Sequence, residues 1–147
     1  MKTKITCKYD HGEIESLIAF AAQHTLADLS SLALNVKNCT NGARAGMAYD
    51  GVPCMSAASN TDAKFLVTLR IGDEGYYPTS NFMKRKGHPY GGKDSPLMEF
   101  QDWREGFVSL AAHEFHHIYQ YQKDFPRSEC EAEKAAFKTL EAFRQTA

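Results

Sequence analysis

The sequence predicts an α+β domain with a short mixed sheet and three helices, and three observations carry that reading. Residues 65 to 71 alternate Phe65, Val67, Leu69 and Ile71 with Leu66, Thr68 and Arg70, which is the two-residue period of a strand. Apolar residues recur at helical spacing from Glu13 to Leu29 and again from about Gln101 through Tyr121. A last helix is expected from Glu129 to Gln145, introduced by Pro126 and Ser128. At 147 residues and 43% hydrophobic content the chain can bury one core, so residues 1–147 read as a single domain.

Taken in order, Ile5 to Lys8 starts a short strand, and the first helix gathers Ile14, Leu17, Ile18, Ala21 and Ala22 on one face. Leu32 to Val36 alternates apolar with polar or small residues and predicts a strand. Asn38 to Gly42 is turn chemistry, and Ala45 to Tyr49 forms a second extended segment stopped by Asp50-Gly51. From Gly72 to Pro96 the chain is dense in Gly, Pro, Tyr, Asn and Ser. Irregular connections of that length are uncommon in a small domain and are often functional, so this one is a candidate wall or lid of a cleft.

The most informative residues lie on the second helix. His113-Glu114-Phe115-His116-His117 places two imidazoles four residues apart, one turn above each other, with Glu114 beside them. Both rings can reach one metal ion. Val108, Ala111, Ala112, Phe115, Ile118 and Tyr119 form an apolar stripe on roughly the opposite side, which separates a packing face from a ligand face. His116 falls outside the pattern and is read as a supporting or surface residue. His11 and His24 ride the first helix singly and are read as structural.

Catalytic zinc takes three protein ligands and keeps a fourth place for water. No histidine follows His117, so an acidic residue is the natural third ligand. Ser128 is the expected N-cap of the last helix with Glu131 completing a capping box, which gives Glu131 a structural task. Against the inward face set by Ala132, Ala135, Ala136, Leu140 and Phe143, Glu129 lies on the margin, Glu133 a little further round, and Glu131 well away. Glu129 on the metal, with Glu133 one turn later accepting the free N–H of a ligand histidine, would satisfy both charges. Helix-dipole complementation is the simpler alternative for both acids.

His113-Glu114-x-x-His117 followed by Glu129-x-Glu131-Ala132-Glu133 resembles the gluzincin zinc metallopeptidases, and in a chain this short the minigluzincins and related small bacterial or phage domains. The resemblance rests on residues 113 to 133. It implies a zincin-like fold, zinc held by His113, His117 and Glu129, and Glu114 as general base. It also implies an upstream edge strand that holds a peptide or protein substrate, and Phe65 to Ile71 is the candidate for that strand, with an ordinary core strand as the equal alternative. The family usually carries Asp where this chain has Glu133. The expected reaction is peptide hydrolysis by zinc-activated water, with an oxyanion donor to be found among Tyr76, Tyr77, His88, Tyr90, Tyr119 and Tyr121. A non-catalytic zinc module that binds a protein partner is the rival reading of the same residues.

Other classes are disfavoured. A net charge of −1 gives no reason to expect nucleic acid, and the one basic cluster, Lys84-Arg85-Lys86, sits in the Gly- and Pro-rich connection. No apolar run approaches a membrane span, and the first residues lack an apolar signal core, which predicts a cytoplasmic protein. Cys7, Cys39, Cys54 and Cys130 show no C-x-x-C spacing and are expected to be reduced, partly buried thiols. A di-iron carboxylate site would need a second Glu-x-x-His, and the chain has one.

Overall fold

A computed structural model describes residues 1–52, 62–81 and 96–146 of the chain. Among them run β1 (Lys2–Ile5), α1 (His11–Gln23), β2 (Leu32–Asn38), β3 (Arg44–Tyr49), β4 (Phe65–Ile71), β5 (Thr79–Ser80), β6 (Glu99–Phe100), α2 (Trp103–Gln122) and α3 (Glu129–Arg144). The class is α+β, with a mixed four-stranded sheet ordered β1-β2-β4-β3 and a two-stranded ribbon of β5 and β6. β1 and β4 both run parallel to β2, while β3 pairs antiparallel with β4.

Among the described residues the three α-helices open with the same device. Asp10, Asp102 and Ser128 each accept a hydrogen bond from the backbone N–H three residues on, at Glu13, Glu105 and Glu131. The Asp-x-x-Glu spacing therefore sets the true starts at His11 and Trp103 rather than Glu13 and Gln101. At Ser128 the reciprocal arm of the expected capping box is missing. The Ser128 N–H donates to Gln120 Oε1 at 3.3 Å, and Glu131 turns to solvent beside Lys134.

The first helix stops at Gln23, six residues short of the expected Leu29. Local side chains capture the next backbone groups: Ala27 N–H donates to Thr25, Ser30 N–H to Asp28, and the Asp28 backbone to and from the amide of Gln122. Such bonds compete directly with helix continuation. The first strand lies at Lys2–Ile5, earlier than expected, because its partners are Ala33 to Val36 of β2 and the register fixes its place.

Leu34, Val36, Val67 and Leu69 point from the central strands onto one side, where they meet Ile14, Leu17 and Ile18 of α1 and Phe107, Val108 and Phe115 of α2. A second core joins Met98, Phe100, Ala112, Ala136 and Leu140 beneath α3. The helix α2 touches α1, α3, β3, β4 and β6 and is buried on most of its circumference. Two faces of this helix are therefore packed, the ligand face included, where the amphipathic pattern predicted one.

Burial of β4 on both faces makes it a central strand, which corrects its expected place at the sheet edge. The edge beside α2 is β3, whose exposure alternates along its length. In the antiparallel pair, Ala43 C=O points inward to Gly72 N–H, while Ala48 C=O accepts from Tyr121 and Arg127 on the outer side. The outward backbone groups are thus those of Arg44, Gly46 and Ala48.

No helix among the described residues is long and apolar enough to cross a membrane. Cys7 and Cys39 are buried free thiols and Cys130 is a partly buried one, while Cys54 and the Lys84-Arg85-Lys86 cluster lie outside the described residues. Phe115 is fully buried between the sheet and the helices. Phe115→Ala is expected to cost about 3–5 kcal/mol in a urea unfolding titration; a loss below about 1 kcal/mol would show that α2 is not the packing centre.

Candidate metal centre

Two helix ends build the centre. The last three turns of α2 carry His113 and His117, and the first turn of α3 carries Glu129 as its first helical residue. Between them the chain reverses through Asp124, at φ 54°, with Phe125 N–H closing on Gln120 C=O at 2.9 Å and Asp124 N–H on Tyr121 C=O at 3.3 Å. That double bond is a Schellman ending, and Asp is among the few residues that tolerate the left-handed position. The turn returns α3 against the ligand face of α2.

His113 Nε2 lies 2.9 Å from Glu129 Oε2, His117 Nε2 lies 3.2 Å from the same oxygen, and the two Nε2 atoms are 3.2 Å apart. Among the described residues these three form the group able to hold a metal ion. A tetrahedral ion with bonds of about 2.0–2.1 Å separates its ligands by about 3.3 Å. The observed triangle has that scale.

Each ring is held from behind. His117 Nδ1 is 2.8 Å from Gln120 Oε1, and Gln120 Nε2 in turn donates to Ser128 C=O at 3.1 Å. His113 Nδ1 lies 2.6 Å from Glu133 Oε1, a close charge contact outside good hydrogen-bond angles, and Glu133 Oε2 accepts from Asn81 Nδ2 at 2.7 Å. A carboxylate and an amide oxygen behind the two Nδ1 atoms require protons there, which leaves the lone pairs on Nε2. Two lone pairs and a carboxylate oxygen then converge on one point. Like-signed partial charges so close together demand a cation between them, so the residues fit a metal.

The electrostatics of the metal-free chain express the same demand as proton affinity. Burial alone would lower the His113 pKa, but the Glu129 and Glu133 carboxylates outweigh it and push it up to about 9. Hydrogen bonds from both imidazoles hold Glu129 well below the usual carboxylate range. Burial acts against the charged form of Glu133, yet its His113 contact keeps that carboxyl below its ordinary value. Glu114 goes the other way, because burial raises its pKa more than the neighbouring rings lower it.

Glu114 is 3% exposed, with Oε1 3.7 Å from His113 Nε2 and Oε2 buried without a hydrogen-bond partner. It stands against Gly46 of β3. A Cβ on Gly46 would come within 2.8 Å of Leu110 Cδ1 and 3.0 Å of Glu114 Cγ, so only glycine lets the edge strand lie this close to the carboxylate. A cavity of about 540 Å³ opens here, lined by β3, by Thr79, Ser80 and Asn81, and by the metal-site residues.

His113, Glu114, His117, Glu129 and Glu133 are thus brought together, whereas His116 stacks near Tyr119 and faces away. Glu131 is exposed, and Cys130 is outside the cluster. Of the tyrosines expected as oxyanion donors, Tyr77 donates to Ala43 C=O, Tyr121 to Ala48 C=O, Tyr119 packs on Phe125, and Tyr76 is exposed. His88 and Tyr90 lie outside the described residues. Sequence reasoning missed Gln120, Asn81, Arg127 and Arg44. Gln120 sits three residues after His117 on the same helical face and was legible by spacing; nothing local marks Asn81 or Arg44.

The chain finds no match among protein-family models, curated proteins or solved structures.

Removing the Gln120 brace leaves the His117 ring and the Ser128 carbonyl without their partner, so Gln120→Ala is expected to weaken divalent-metal binding by roughly 10–100-fold in a competition titration with zinc as the probe. Unchanged affinity would show that the brace does not orient the ring. For pH the sign follows from His113, whose folded pKa of about 9 exceeds its ordinary 6.5. In the metal-free protein its stabilising contacts are complete below pH 6.5 and are lost as pH rises through 9, while metal needs the neutral ring. The Tm difference between zinc-loaded and metal-free protein should therefore widen from pH 6.5 to 9; a constant difference would contradict this assignment.

Proposed function

We propose that this chain is a zinc-dependent metallopeptidase of zincin type and gluzincin kind, hydrolysing a peptide or protein substrate. One observation carries the reading. The His113, His117 and Glu129 triangle is flanked by a buried Glu114 oxygen with no partner, at the floor of a cleft walled by an exposed strand edge.

The two-nitrogen, one-oxygen donor set suits zinc, with Glu129 as third ligand. Bound zinc supplies a lowered pKa for a coordinated water and polarises a carbonyl. The residues of the chain do the rest. The outward backbone groups of Arg44 and Gly46 offer hydrogen bonds to an extended peptide, adding it as a further strand along β3. That peptide passes over Gly46, whose missing side chain lets it reach Glu114. Glu114 Oε2 accepts a proton from the attacking water and returns it to the leaving amine, and burial makes this carboxylate a stronger base than an exposed one. Arg127, which lines the cleft beside Glu129 and donates to Ala48 C=O at 3.1 Å, supplies fixed positive charge that would favour a developing oxyanion.

Glu114→Gln keeps the size of the side chain and removes the base. It should retain one zinc per chain by elemental analysis and lose peptide cleavage by a factor of at least 10²–10⁴. Wild-type protein that holds zinc yet cleaves no peptide in an unfolded protein mixture would instead favour a non-catalytic binding module. Activity undiminished in Glu114→Gln would remove the mechanism.

A further inference from the structure

Arg44 is a cation that the metal site does not use. It lies on β3 two residues before Gly46, hence on the same face, and its guanidinium stacks over the Phe100 ring at 4.5 Å. It lines the cleft with Thr79, Ser80, Asn81 and Glu133. Among the described residues it makes no ion pair and no side-chain hydrogen bond. Glu133, its nearest acidic influence, is already engaged on both oxygens, by His113 at 2.6 Å and by Asn81 at 2.7 Å. Arg127 contrasts with it. That guanidinium is held by Glu129 at 3.4 Å, by Ala48 C=O and by the Tyr121 hydroxyl.

A planar fork of five donors, held over an aromatic ring in the lining of a cleft, is suited to receive a carboxylate in bidentate fashion. The charge balance leaves room for one. With a divalent ion bound, and counting only the described lining residues, the positive charge of the ion, Arg44 and Arg127 exceeds the negative charge of the three carboxylates Glu114, Glu129 and Glu133. Hydroxyls of Thr79 and Ser80 on the adjoining wall add donors and no competing negative charge.

We propose that Arg44 is a specificity-determining residue that binds a carboxylate of the peptide substrate. Position fixes which one. Successive residues of a strand advance about 3.3 Å, so Arg44 acts roughly 7 Å from Gly46, where Glu114 reaches the chain. A peptide paired with β3 presents the facing side chain on the same side as its strand partner. The recognised group is then two residues from the one that crosses Gly46, and it is either an Asp or Glu side chain or the free end of a short C-terminal overhang. This rests on the peptidase reading for its geometry, and binding tests it separately from cleavage.

The experiment uses zinc-loaded full-length Glu114→Gln protein and fluorescein-labelled ten-residue peptides in anisotropy titrations at fixed salt. One Glu is walked through an otherwise neutral sequence, with Gln at the same position as control, and every peptide is made with a free and an amidated C-terminus. Expected is a preference on the order of tenfold for one Glu position, or for the free terminus, which identifies the source of the carboxylate. Adding Arg44→Gln should weaken the preferred peptide about tenfold more than its neutral control, Arg44→Lys should keep part of the preference, and Arg44→Glu should shift it toward a Lys peptide. Zinc content and thermal unfolding of each variant verify the fold, and Arg44→Lys carries the comparison if Arg44→Gln fails to fold. A preference that is absent, that survives in Arg44→Gln, or a loss equal for acidic and neutral peptides would overturn the proposal. Native protein is assayed for cleavage of the same peptides in parallel: binding that depends on Arg44 without cleavage sinks the peptidase reading alone.

Discussion

Everything at the centre of this molecule answers to one repulsion. Two imidazole lone pairs and a carboxylate oxygen meet within 2.9–3.2 Å in a largely buried site, and nothing but positive charge between them makes that arrangement favourable. Without an ion the chain meets the demand by taking a proton onto His113. A divalent cation would meet it with little movement of the ligands, since the triangle is close to tetrahedral dimensions.

Holding such a triangle requires rigid support, and the fold supplies it from three directions. Gln120 ties the His117 ring to the start of α3, so the two ligand helices are joined by one side chain. Asn81 holds Glu133 behind His113 and is itself fixed by donating to Pro96 C=O at 3.0 Å and accepting from Met98 N–H at 2.9 Å. The sheet closes the third side through Gly46. Because α2 is packed on nearly its whole surface, small displacements of the ligand rings would have to be shared by both cores.

The same packing explains how the cleft acquires a polarity. The strand β3 is left at the sheet edge with its outer backbone groups beside the metal residues, Arg44 at one end and Arg127 at the other. Arg127 is tied to Glu129 and to Ala48 C=O, whereas among the described residues Arg44 has only the Phe100 ring. This asymmetry, rather than the shape of the cavity, gives the site a direction.

The sequence alone determined which residues form the candidate metal-binding group, because helical periodicity is strictly local: a spacing of four from His113 to His117 makes about one turn, and a cap at Ser128 sets which way Glu129 and Glu133 face. The long central strand was legible for the same reason, as were the helices, although of their starts only the cap at Ser128 was read and those at Asp10 and Asp102 were placed near Glu13 and Gln101. Tertiary structure decided what depends on partners distant in the chain. Strand order is one such matter, since alternation in Phe65 to Ile71 says that a strand exists and not that β2 and β3 flank it. The meeting of Asn81 with Glu133, of Gly46 with Glu114, and of Arg44 with Phe100 is another. Each joins residues dozens of positions apart, and no local spacing encodes a contact that only the folded sheet brings within reach.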